Sequence, residues 1–134
     1  MDTPVDIERI NSAPIPSSGK PYSQATRLGD LVFTSGQVAL DDETSTPLEG
    51  GFDVQARQVL ENLRLVLLQA GASLETVLKT TCFLTDIDNA PSFNTIYREF
   101  FPENQPARST FAVAALSPGL LVEVEAIAVR VRKA

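Results

Sequence analysis

The chain has no histidine. That absence removes Ser-His-Asp and Cys-His catalysis, and it takes away the commonest zinc ligand. A single cysteine, Cys82, excludes an internal disulfide and any Cys/His metal cluster. Proton transfer is left to carboxylates, tyrosine, lysine, backbone groups or water. No long apolar run is present. Positive charge is scarce, with 11 Lys and Arg against 17 Asp and Glu and a net charge of -6. Nothing basic is concentrated anywhere, which argues against nucleic acid or an anionic membrane as a partner. The N-terminus lacks the apolar core of a signal peptide. Its Asp2, Asp6 and Glu8 oppose a mitochondrial presequence, so a cytoplasmic protein is expected.

What is there is ordinary globular composition, 43% hydrophobic over 134 residues, the length of one domain spanning 1–134. Val5 to Ile10 reads as a short strand, followed by a Pro- and Gly-bearing loop over Ala13 to Lys20. Thr26 to Leu28 and Leu31 to Ser35 read as hairpin arms turned by Gly29-Asp30. Asp41 to Gly51 reads as a solvated turn region, since its acids lack calcium-loop spacing. The strongest helix signal runs from Asp53 to Ala70. Val54, Ala56, Val59, Leu60, Leu63, Val66 and Leu67 recur at three- and four-residue steps. Asp53 is placed as its N-cap and Gly71 as its stop.

Val77 to Thr85 reads as a strand with Leu78, Thr80, Cys82 and Leu84 on one side, making Cys82 a buried, inert thiol. A second helix over Ala90 to Phe101, with Asn89 as cap, turns Phe93, Ile96, Tyr97 and Phe100 inward. Two final strands, about Arg108 to Leu116 and Leu121 to Val131, flank a Ser117-Pro118-Gly119 turn. The order gives an α+β fold: a mostly antiparallel sheet with two helices on one face. The last strand is apolar on both sides, with Val122, Val124, Ala126 and Ala128 opposed to Leu121, Ile127, Val129 and Val131. A wet sheet face would alternate with polar residues, so the uncovered face is expected to meet another subunit.

Charges in such apolar strands are costly unless paired or used. Arg108 keeps its charge, and its planar fork suits a carboxylate. One reading is a salt bridge to Glu123 or Glu125; the other is an anionic ligand. If the last strands form a simple hairpin, Arg108 and Glu123 are roughly 16 Å apart at ~3.4 Å per residue. They then meet only across a subunit boundary, or Arg108 waits for an anion. On residue type alone, Tyr22 is equally a rim aromatic, Ser35 turn chemistry and Asn94 a helix residue. Glu125 shares a strand face with Glu123, so the two can exchange roles.

Pro21-Tyr22-Ser23-Gln24-Ala25, Leu31 to Gln37, Gln58 to Leu63, Lys79-Thr80-Thr81, Pro106 to Thr110 and Val122 to Ala126 together resemble the RidA (YjgF) family, in order and spacing. The resemblance implies a chorismate-mutase-like α+β fold and a homotrimer with clefts between subunits. It implies cofactor-free hydrolysis of reactive enamines and imines, typified by 2-aminoacrylate, to 2-oxo acids and ammonia. By the same resemblance, Arg108 clamps the substrate carboxylate and Glu123 activates the water. Tyr22 and Ser35 line the pocket and relay protons, with the Gly36 backbone close by and Asn94 on its wall. Two departures stand out. Thr110 replaces a frequent cysteine or valine, leaving its backbone carbonyl to orient water. Lys20 replaces a frequent glycine and puts a cation near the cleft mouth, favouring more acidic or larger imino acids. The competing readings are a deaminase dedicated to one enamine intermediate (aminomuconate-type), a non-catalytic ligand-binding or chaperone-like trimer, and a ribonuclease. The acidity disfavours the last.

Overall fold

The computed structural model describes residues 5–16 and 19–132. Asp2 of the N-terminal segment, and Ser17 and Ser18 of the Ala13–Lys20 loop, lie outside the described residues. Six strands form one sheet in the order β1-β2-β3-β6-β4-β5. They are β1 (Glu8–Ile10), β2 (Ala25–Leu28), β3 (Leu31–Thr34), β4 (Val77–Leu84), β5 (Ala107–Ala112) and β6 (Val122–Val129). Two helices, α1 (Phe52–Gln69) and α2 (Ala90–Phe100), complete the α+β fold. Every neighbouring pair is antiparallel except β4 and β5, which run parallel.

The expected hairpin turns at Gly29, whose φ of +59° suits glycine. Helix α1 forms on its apolar stripe, and Ala56, Val59, Leu60, Leu63, Val66 and Leu67 are all fully buried against the sheet. Val54 does not join them; it faces outward, 40% exposed. Asp53 is not the cap either. Gly51 holds that position, and Asp53 sits inside the first turn, where its charge meets the positive end of the helix. Gly71 ends α1 at φ +82°, with Gly71 N–H donating to Leu68 O and Ala72 N–H to Leu67 O (3.1 and 2.9 Å). Helix α2 packs on α1, and its Asn89 cap position makes no side-chain cap bond.

Strand β4 departs from the expected alternation. A bulge between Val77 and Lys79 turns Val77 inward and leaves Leu78 exposed. From Thr80 onward the period-2 pattern holds, burying Thr80, Cys82 and Leu84.

The larger correction concerns the last two strands. They do not pair. Strand β5 lies at the sheet edge beside β4, while β6 inserts between β3 and β4. The physical reason is the composition of β6. A strand apolar on both faces belongs in the middle of a sheet, where two neighbours satisfy its backbone. Val122, Val124, Ala126 and Ala128 point to the helices, while Glu123, Glu125, Ile127 and Val129 point to the other face. That open face carries Leu31, Phe33 and Phe111, each more than 40% exposed. The buried amide of Gln55 fixes the start of β6. Its Oε1 accepts from Leu121 N–H at 2.9 Å, and its Nε2 donates to Leu48 O and Gly119 O.

Candidate functional site

Glu123 is half-buried and lies on the open face near one end of β6. A bridge between Gln37 and Val124 (2.8 and 3.2 Å) pins the segment after β3 against β6 at this point. Gly36 is thereby pressed onto the acid. A Cβ built there would stand 2.1 Å from Glu123 Oε2, so only glycine lets the carboxylate lie where it does. Ser35 N–H donates to Gln24 O (2.9 Å) and Ser35 Oγ to Ser23 O (2.6 Å). The serine proton is engaged, and its lone pairs remain to accept. Tyr22, 60% exposed, stands at the rim. These four residues and Lys20 line one cavity of about 490 Å³. Burial, and secondarily the Glu125 charge, raises the Glu123 carboxyl above the usual carboxylate range. Such a carboxylate is a stronger base than an exposed one.

Arg108 occupies a different place. It stands in register with Thr80, hence on the helix side of edge strand β5. Its Nη2 donates to Asn94 Oδ1 at 2.7 Å, and its guanidinium lies 4.7 Å from the Tyr97 ring centre and 5.8 Å from that of Phe93. Tyr97 is locked in turn, its hydroxyl 2.8 Å from Thr80 Oγ1. Asn94, Tyr97 and Arg108 line a groove of about 190 Å³. Nη2 is held, while Nε and Nη1 of the guanidinium make no hydrogen bond among the described residues.

Of the residues expected at the site, the structure joins Tyr22, Ser35, Gly36 and Glu123 in one cavity, and Arg108 with Asn94 in another. The two groups lie on opposite faces of the sheet, with β4 between their strands. Among the described residues neither Arg108 nor Glu123 is in an ion pair, so the intrachain salt bridge is not the role of this arginine. Thr110 lines neither cavity. It pairs with Cys82 in register, and its hydroxyl is buried with no hydrogen-bond partner. Cys82 is fully buried, which pushes its thiol pKa up, as an inert thiol requires. Tyr97, expected only as core, is the residue missed; its spacing of three from Asn94 was the available signal. Among the described residues, no three His, Cys, Asp or Glu side chains gather as a metal-holding group.

The profile of the family described as Endoribonuclease L-PSP matches residues 12–130. A RutC family protein of Synechocystis is 45% identical over 122 residues, covering 90% of this chain and 94% of that one. The human protein named 2-iminobutanoate/2-iminopropanoate deaminase is 37% identical over 121 residues, covering 90% and 88%. The chain belongs to the RidA family. The solved structure of RidA from an Antarctic Psychrobacter superposes with a TM-score of 0.85 at 38% identity, covering 91% of this chain and 98% of that one. Within the RidA fold, β6 carries Glu123 beside Gly36 of the segment after β3, while β5 carries Arg108 beside Asn94 and Tyr97 of α2. Among the described residues no helix is long and apolar enough to cross a membrane.

Proposed function

We propose that the chain is a hydrolytic deaminase of reactive enamines and imines, acting on 2-aminoacrylate and related 2-imino acids. The observation that carries this reading is the pair of incomplete half-sites. Among the described residues, one holds a guanidinium with no acid beside it, the other a half-buried carboxylate of raised pKa that is in no ion pair, with Lys20 elsewhere on the cavity wall. An enamine such as 2-aminoacrylate becomes an imine by gaining a proton at C3 from water and losing one from nitrogen. The imine carbon is then electrophilic, so a held substrate carboxylate and a polarised water suffice for hydrolysis. Arg108 binds that carboxylate through its free N–H groups. Glu123 takes a proton from water as the oxygen attacks the C=N carbon, which moves the π electrons onto nitrogen. The same carboxyl returns that proton to nitrogen, giving a carbinolamine. It then takes the hydroxyl proton and passes it to the amine as the C–N bond breaks, so that ammonia leaves and the 2-oxo acid remains. General-base help of this kind is worth about 10²–10⁴ in rate. Ser35 accepts a hydrogen bond from the substrate, and Tyr22 covers it at the rim.

The half-sites complete each other in a homotrimer, where the open face of one copy packs on the next and brings Arg108 of one beside Glu123 of another. The exposed Leu31, Phe33 and Phe111 favour this cover. The ribonuclease name attached to the family profile suits this chain poorly, given its net charge of -6.

The test generates 2-aminoacrylate in situ from serine with a dehydratase. Its loss is followed with the wild type, Arg108→Ala and Glu123→Gln. The wild type is expected to accelerate it and both variants to lose most of that acceleration. A wild type no faster than the spontaneous reaction sinks the reading.

A further inference from the structure

Arg98 and Arg108 line the same groove, and no acidic side chain lines it with them. Most other arginines of the chain have found carboxylates: Arg27 with Glu8, Arg57 with Glu99, Arg64 with Glu61, and Arg130 and Arg132 with Asp30. Among the described residues Arg98 and Arg108 form no ion pair, in a chain whose 17 acids outnumber its 11 bases. Their spacing is set by α2. Asn94 and Arg98 stand at positions i and i+4, on one face of the helix. Asn94 anchors Arg108 at 2.7 Å, so Arg98 stands one turn along α2 from that anchor. Two like charges in one cleft of an oppositely charged protein repel each other until an anion sits between them, and such a cleft focuses anions toward itself.

We propose that this groove takes a small acid bearing two carboxylates, and that the favoured substrates are therefore 2-imino dicarboxylic acids. Arg108 holds the carboxylate beside the reacting carbon, and Arg98 holds the distal one. This names a substrate class for the deaminase reading and rests on it. Arg98 also lies in the last turn of α2, where a cation complements the negative end of the helix. That role affects thermal stability and leaves the choice between substrates unchanged.

The experiment compares 2-aminoacrylate with 2-iminosuccinate, the latter made in situ from aspartate by an amino-acid oxidase. Wild type, Arg98→Gln, Arg98→Lys and Lys20→Gln are assayed with both. The wild type is expected to favour the dicarboxylate. Arg98→Gln is expected to lower kcat/KM for it about five- to ten-fold while changing 2-aminoacrylate less than about two-fold. Arg98→Lys is expected to keep most of the preference, and added salt to erode it. In parallel, calorimetry with 2-oxoglutarate and 2-oxobutanoate measures the ratio of their affinities for each variant. A wild type active on 2-aminoacrylate with no dicarboxylate preference overturns the inference and spares the deaminase reading. So does a preference that survives Arg98→Gln but disappears in Lys20→Gln. If neither imine is turned over faster than spontaneously, the deaminase reading falls; the calorimetric ratio then decides the groove, and an Arg98→Gln ratio equal to the wild-type one overturns it.

Discussion

The guanidinium of Arg108 rests 4.7 Å from the centre of the Tyr97 ring, and Tyr97 is itself tied to Thr80 by a 2.8 Å hydrogen bond. Tyr97 is 5% exposed and Thr80 fully buried, so the platform is rigid. An arginine on an exposed edge strand otherwise samples many rotamers, and holding it costs entropy at each binding event. The ring is expected to position Arg108 through its π face. Tyr97→Leu should therefore raise KM about two- to thirty-fold, the range of a cation–π contact, with a smaller change in kcat. Tyr97→Phe keeps the face and should stay within about two-fold in KM, although it strands the Thr80 hydroxyl and lowers Tm. Equal KM values for Leu and Phe would remove the positioning role.

Gly36 makes a second sharp case. An alanine there would place its Cβ 2.1 Å from Glu123 Oε2 and 2.7 Å from the carboxyl carbon. The atoms in the way end a flexible, half-buried side chain, so the carboxyl swings aside and the fold survives. A base displaced by about 1 Å loses on the order of 10² in rate. Gly36→Ala should then lower kcat by about that factor with Tm changed by only a few degrees, read by steady-state kinetics and calorimetry. Full activity in this variant would mean that the observed seat of Glu123 is not the working one.

How much of this was legible in the chain depends on what a pattern encodes. Period 3.6 placed α1 and its stripe, because burial of one helix face leaves a mark at every third or fourth residue. Period 2 placed the two faces of β6, with Glu123 and Glu125 together on the open one. It did not place neighbours, because alternation records which side a residue faces and not which strand lies beside it. Adjacency in sequence suggested a hairpin of β5 with β6, yet β4 comes between them. The bulge that exposes Leu78 leaves no residue-type signature, since Val77 and Leu78 are equally apolar. The separation of Arg108 from Glu123 was foreseen with the wrong geometry. They are parted by an intervening strand and by opposite faces, not by distance along a shared ladder.

Glu123 also governs a pH dependence whose sign follows from its environment. Burial and Glu125 raise its folded pKa above the unfolded one. In the window between the two values the native state holds the extra proton, so stability falls as pH rises through that window. At neutral pH the ionised carboxylate costs stability. Glu123→Gln should thus melt above the wild type at pH 7, by a margin that widens when Arg108 is also replaced by Ala and no neighbouring cation offsets the cost, with the gap closing as pH falls below the raised value. Glu8, Asp30, Asp41, Glu61 and Glu99 act oppositely, since their lowered pKa values stabilise the fold until acid removes their charge. The variant must therefore be compared with wild type at each pH. Activity should fall on the acid side as Glu123 takes up its proton. In Arg108→Ala that limb should move to higher pH, because a nearby cation favours the ionised acid. A limb that stays in place would mean that the two groups do not meet.

The open face leads to the most decisive measurement. Phe33 stands opposite Ile127 in the middle of that face and is 41% exposed. Phe33→Glu should reduce the sedimenting mass from a multiple of 14.5 kDa to the single-chain value. Far-UV circular dichroism should be retained, since no core contact is lost, while deaminase activity disappears. Dissociation alone leaves open whose residues build each cleft, but mixing does not. Arg108→Ala keeps Glu123, and Glu123→Gln keeps Arg108, so each alone is inactive. Unfolded together and refolded, they assemble at random. If every cleft in a cyclic trimer takes its arginine from one subunit and its acid from the next, about a quarter of the clefts receive both intact groups. Activity should return to about that fraction of wild type. If both groups come from one chain, each cleft carries one defect whatever the mixture, and no activity returns.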